Sequence, residues 1–204
     1  TLEEVSREVG ASVDEVRDRL NRARRTLYQV RSERVWPGRD EKILTSWNAM
    51  MLHAFAEAGR IFAADDYVAA AVACADFLLA ELRIDGELHR TWRDGTARIR
   101  GFLEDHALLV DALVELYQTT FDLRWVAEAR EIADRMIQAF WSPREEMFYD
   151  TRADEDELIV RPRDIYDNAT PSGTSAAAHA LTRLARLTGE SSYDRIAGRI
   201  VEGL

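Results

Sequence analysis

Three aspartates stand at or just before the starts of helical stretches: Asp40, Asp105 and Asp167. Paired carboxylates are the usual means of cleaving a glycosidic bond. One protonates the leaving oxygen and the other activates water, at separations of roughly 6.5–9.5 Å in the inverting case. Nearby side chains suit a polar ring: Trp47, Trp92 and Tyr166 can stack on a sugar, and Arg34, Lys42, Arg93, Arg98, Arg100 and Arg161 can pair with carboxylate or phosphate. Asn48 and Ser172 add hydrogen-bonding groups. A second set is built on imidazoles, which move protons near neutral pH: His53, His106 and His179. The competing explanation is structural, because Asp, Ser and Thr at such places cap helices, as Ser46, Asp105 and Thr174 would.

A helical frame must position these groups. The chain has 204 residues with only 10 glycines and 4 prolines, 47% hydrophobic and 31% charged. That composition is globular and too poor in turn residues for an all-β fold. A net charge of -10 argues against a nucleic-acid partner. No stretch approaches the ~18 apolar residues of a membrane span. There is no signal-peptide pattern, so a cytoplasmic location without membrane association is expected. The single cysteine, Cys74, excludes a disulfide framework, a redox pair or zinc spacing within the chain, and neither metal nor cofactor is expected. Of 27 basic residues one is lysine, Lys42. Ammonium and guanidinium are not interchangeable where geometry is fixed, so Lys42 is expected in a specific polar contact with a carboxylate.

Ser12 with Glu15 forms a capping-box pattern opening a helix that runs to Arg34 and breaks at Trp36-Pro37-Gly38. Residues 2–27 resemble a helix-turn-helix of the sigma-factor type, but the acidic balance and the uninterrupted second helix point away from DNA. Further helices are expected near 45–62, 65–83, 102–120, 123–140, 174–187 and 190–203. The one at 123–140 has a single apolar stripe through Trp125, Ala129, Ile132, Ala133, Met136, Ile137 and Phe140. Its predecessor is apolar over most of its circumference, so inner and outer helices alternate. The pairs repeat when anchored on Tyr67, Trp125 and Tyr193. The expected architecture is one all-α domain: a helical lead-in at 1–35, then hairpins at 45–83, 102–140 and 174–203. Such hairpins bury their apolar faces only by packing side by side, as in part of an α/α toroid.

The long connections, 84–101 and 141–172, fall on one rim and carry short β-hairpins: 88–92 with 97–100 around Asp94-Gly95, and 147–151 with 158–161 around an acidic turn. Inside the ring a polar stripe is expected. The repeat aligns His53 with Asp111 and His179, then Glu57 with Glu115 and Arg183, then Arg60 with Gln118 and Arg186. These offsets share one helix face, its first level ~9 Å below the rim. A solvated helix face would show the same stripe.

Three ordered motifs carry a family resemblance. Arg31-x-x-Arg34-x-x-Pro37-x-x-Asp40-x-Lys42-x-Leu44-x-x-Trp47-Asn48, Gly101-Phe102-Leu103-Glu104-Asp105-His106-Ala107 and Asp167-x-Ala169-x-Pro171-Ser172-Gly173-Thr174-Ser175 resemble signatures of the thioredoxin-domain-containing, spermatogenesis-associated protein 20-like family. His106 and Thr174 stand where that family usually has Tyr and Asn. The resemblance implies a thioredoxin-like domain, outside this chain, followed by an (α/α)6 barrel similar to six-hairpin glycosidases and N-acylglucosamine 2-epimerases. Three hairpins are half such a ring, so the chain is expected to be a piece of a longer polypeptide. Epimerase relatives use histidines and glycosidase relatives use carboxylates. The expected function is binding or processing of a sugar or sugar derivative, with the rest of the polypeptide as partner. A non-catalytic scaffold attached to the thioredoxin-like domain is the alternative.

Overall fold

Among the described residues, each inner helix ends on a left-handed residue at the same place in its repeat. The computed structural model describes residues 1–154 and 160–203. It comprises two units, Thr1–Glu41 and Lys42–Leu204.

In the first unit α1 (Leu2–Val9) and α2 (Val13–Ser32) are separate helices. Thr1 and Ser12 cap them, each in a reciprocal box with Glu4 or Glu15. Gly10 ends α1 at φ 64, a conformation that costs glycine little. Val16 is the one buried residue of the two helices.

The second unit contains three helical hairpins: α3 (Thr45–Phe62) with α4 (Asp65–Glu81), α5 (Leu103–Thr120) with α6 (Arg124–Phe140), and α7 (Gly173–Thr188) with α8 (Ser191–Gly203). The inner helices α3, α5 and α7 pack side by side with α5 in the middle, and α4, α6 and α8 back them. Burial follows this arrangement. Helix α5 is covered along much of its circumference, through Leu103, Ala107, Leu109, Val110, Leu113, Val114 and Leu116. Helix α6 buries the single stripe from Trp125 to Phe140. Ala63 (φ 50), Phe121 (φ 58) and Gly189 (φ 73) terminate the inner helices, so a tight turn is bought at two positions without glycine. Gly59 marks the closest approach of α3 to α4: a Cβ there would lie 2.6 Å from Val68 Cγ2.

The connection before α5 is a small antiparallel sheet. Strand β3 (Glu87–Arg93) pairs with β4 (Thr96–Arg100) on one side and with β1 (Ile43–Leu44) and β2 (Arg83–Ile84) on the other. Asp94-Gly95 turns β3 into β4, and Asp85-Gly86 likewise turns β2 into β3. Both residues of each pair have positive φ, as a two-residue hairpin turn requires. The other long connection carries a second, shorter hairpin. Met147–Phe148 (β6) pairs with Trp141–Ser142 (β5), directly after α6. Leu158 and Ile159 lie outside the described residues, and Arg161 is in no strand. Among the described residues no helix is long and apolar enough to cross a membrane. The fold is part of an (α/α)6 toroid with short hairpins in the rim loops.

Candidate active site

Two of the three rim aspartates, Asp105 and Asp167, accept backbone amides. Asp105 is fully buried; one oxygen accepts the Ser46 amide at 3.1 Å, the other the Phe102 amide at 2.9 Å and Arg90 at 3.1 Å. Burial pushes its carboxyl up, against the Phe102 amide and Arg90, which pull it down. It joins the first turns of α3 and α5. Asp167 is exposed and accepts the Ser172 amide at 2.9 Å; that bond and Ser175 hold it below its ordinary range. It shapes the turn into α7, where Ser172 is the N-cap. Asp40 and Arg34 belong to the first unit and are exposed.

His106 is a core residue. It is buried edge-on against Phe140 with centroids 5.0 Å apart, its Nδ1 2.8 Å from the Phe102 carbonyl, and burial lowers it to about 4. Trp92 packs edge-on against Phe77 at 5.4 Å and donates to Glu81 at 3.3 Å, so it is no free platform. Trp47 remains 62% exposed, while Asn48 donates to the Leu44 carbonyl at 2.8 Å. Arg161 lies 4.2 Å over the Tyr149 ring and donates to the Thr151 carbonyl at 2.5 Å. Lys42 and Arg98 are exposed, and Lys42 is not without a partner.

A rim cavity of about 240 Å³ does open at the N-termini of α5 and α7, lined by other carboxylates: Glu104, Asp150 and Asp164, with Phe102, Tyr166 and Ser172. Burial, with the charges of Asp164 and Glu104, pushes Asp150 up despite the 2.8 Å bond from the Asp164 amide. Tyr166, 74% exposed, forms the aromatic wall. The sequence signal for this trio was weak, because Asp150 and Asp164 lie in a long loop outside the repeat register.

The polar stripe converges on α5. Asp111 accepts from His53 Nδ1 at 2.8 Å, lies 3.5 Å from His179 Nε2 and meets Arg183 at 2.5 Å. The same guanidinium reaches Glu115, one turn along α5, which Arg60 also meets at 2.7 Å. Gln118 accepts from Arg183 at 3.2 Å. The hydrogen bond to Asp111 raises His53 more than burial lowers it. Burial would raise Asp111, but His53 and Arg183 hold it below its usual range. His53 is partly exposed and His179 is 64% exposed, so both rings are reachable from solvent. Two imidazoles, on the inner helices that flank α5, thus approach one carboxylate of α5, an arrangement able to accept and deliver a proton. Among the described residues no group of three or more His, Cys, Asp or Glu could hold a metal.

In an alignment of 204 positions that covers 95% of its length, the chain is 32% identical to mouse spermatogenesis-associated protein 20. Over that span the chain is similar to that protein. The human spermatogenesis-associated protein 20 is 30% identical over the same share, and an uncharacterized protein of Caenorhabditis elegans 29% over the whole chain. The chain spans 26% of the length of the spermatogenesis-associated proteins it matches. No family model matches the sequence. Among solved structures it is similar to the cellobiose 2-epimerase of Bacillus thermoamylovorans, with TM-score 0.68, 16% identity, and coverage of 80% of this chain and 44% of that one. It is similar to an unsaturated glucuronyl hydrolase specific for heparin, with TM-score 0.65, 18% identity and coverage of 83% and 48%. A GH76 alpha-mannanase of Bacteroides thetaiotaomicron gives TM-score 0.66, 13% identity and coverage of 80% and 44%. At these identities the solved structures show the fold alone.

Proposed function

We propose that this domain processes a sugar by proton transfer on the inner face of its helical ring, in the manner of an epimerase or isomerase. The observation that carries the reading is Asp111, held between His53 of α3 and His179 of α7. His53, whose protonated form Asp111 favours, is the acid; His179, the more exposed ring, is the base. Asp111 orients both rings. Arg183 fixes Asp111 and is a positioning residue. Trp47, exposed at the start of α3, is a stacking surface. The sugar is the small-molecule partner, the remainder of the polypeptide completes the ring, and the setting is cytoplasmic.

The rim cavity supports a second reading, glycoside hydrolysis, with Asp150, whose carboxyl burial pushes up, as the acid and Asp164 or Glu104 as the base. Proton NMR separates the two. Full-length protein is incubated in D2O with a panel of aldoses and disaccharides. Loss of the C2 proton signal, abolished by His53→Asn and by His179→Asn, supports transfer on the inner face. Release of a reducing sugar, abolished by Asp150→Asn, supports hydrolysis. A panel in which no sugar binds, exchanges or is cleaved rejects both.

A further inference from the structure

A second concave site lies on the rim sheet, and its chemistry is cationic. Strand β3 is the middle of three: Leu44 of β1 faces Thr91, and Thr91 faces Arg98 of β4. Cross-strand partners point to the same face, and so do residues two apart along a strand. Arg93 therefore shares the face of Thr91 and Arg98, and Lys42, two residues before Leu44, continues it on the other side. The same residues line one cavity of about 320 Å³: Lys42, Thr91, Arg93, Asp94 and Arg98. Three cations face one carboxylate there, in a chain whose net charge is -10. Arg93 pairs with Asp94 at 3.1 Å, Lys42 has a partner of its own, and Thr91 donates to the Arg98 carbonyl at 3.1 Å, which ties β3 to β4 beneath the cavity. On the other face of the sheet Trp92 packs on Phe77.

From this arrangement we infer that the sheet face of Lys42, Arg93 and Arg98 is a binding site for a phosphate monoester, the anionic end of a phosphorylated sugar. Two guanidiniums present planar forks that match phosphate oxygens in pairs, and an ammonium adds a compact charge. The phosphate half of the inference stands on the cavity alone; the sugar half rests on the function proposed above.

Isothermal titration of the full-length protein tests it, with inorganic phosphate, glucose 6-phosphate and glucose as probes. Saturable phosphate binding is expected, weakening as salt is raised. Arg98→Ala should weaken it at least about tenfold, the loss of one charge-assisted bond, and Arg98→Lys should recover part of that. The Arg98 side chain makes no hydrogen bond or ion pair to another described residue, so Arg98→Ala should keep its melting temperature. Absence of saturable phosphate binding, or binding unchanged in an Arg93→Ala, Arg98→Ala double variant, overturns the site. Glucose 6-phosphate binding no tighter than inorganic phosphate overturns the sugar half. C2 exchange of neutral sugars by the wild-type protein is read in parallel. Exchange without phosphate binding removes this inference alone, and phosphate binding without exchange or cleavage removes only the functional reading.

Discussion

The carboxylate of Asp105 lies 3.1 Å from the backbone nitrogen of Ser46, fifty-nine positions earlier in the chain. With the Phe102 amide and Arg90 on its other oxygen, it stitches the first turns of two inner helices together in a fully buried setting. Asp105→Ala leaves two amides and a guanidinium without their acceptor, and it should cost about 3–5 kcal/mol of stability. Chemical denaturation measures it. An unchanged unfolding midpoint accompanied by loss of sugar turnover would make Asp105 catalytic instead.

His53 should titrate above the ordinary histidine value of 6.5, because its bond to Asp111 stabilises the charged ring. Its folded value is raised, so its stabilising contribution is complete below pH 6.5 and is lost as pH rises through the folded value. Imidazole NMR signals followed with pH should give that midpoint, and Asp111→Asn should bring it down. A midpoint at or below 6.5 in the wild type would remove the acid assignment.

The sign reverses at His106. Burial lowers it from 6.5 to about 4, so the unfolded chain takes up a proton that the folded chain refuses. Stability should fall as pH drops from about 6.5 to about 4, by up to about 3 kcal/mol. In His106→Tyr, which carries the ring usual in the family signature, the decline between pH 6.5 and 5 should flatten. Equal slopes for the two proteins in that window would contradict a neutral buried imidazole.

Gly59→Ala should destabilise the domain by about 1–3 kcal/mol despite alanine's better helix propensity. The new methyl would meet Val68 Cγ2 at 2.6 Å and the Val68 amide nitrogen at 3.1 Å. Adding Val68→Ala removes the first obstacle and should recover part of the loss, so the two changes should be non-additive in thermal melts.

The helices were legible because periodicity and caps report directly on burial. The stripe from Trp125 to Phe140 reads as one buried face and is one. The polar stripe was equally legible, since offsets of 6 and 10 from Trp47, Asp105 and Gly173 select one face of an α-helix, and there His53, Asp111, His179, Glu115 and Arg183 meet. Glu57 and Arg186, on the same stripe, make none of its contacts. The rim was harder. Asp105 and Asp167 stand at helix entries, where unsatisfied backbone amides compete for a carboxylate, and in both cases the amides hold it. Asp150 and Asp164 reach their cavity through a loop path that no helical or strand period records. Trp92 alternates correctly along its strand, yet the pattern does not say that Phe77 lies beneath it.

Arg183 grips Asp111 and Glu115 together, two carboxylates one turn apart on α5. That grip works as a gauge of helical phase. Deleting or inserting one residue between positions 111 and 115 would swing one carboxylate about 100° around the axis and unhook the clamp. The anchors Tyr67, Trp125 and Tyr193 are nevertheless separated by unequal lengths of chain, 58 and 68 residues. All of that inequality is absorbed by the rim. The inner walls are therefore locked in step, while the loops that would meet a ligand are left free to lengthen, shorten and diverge.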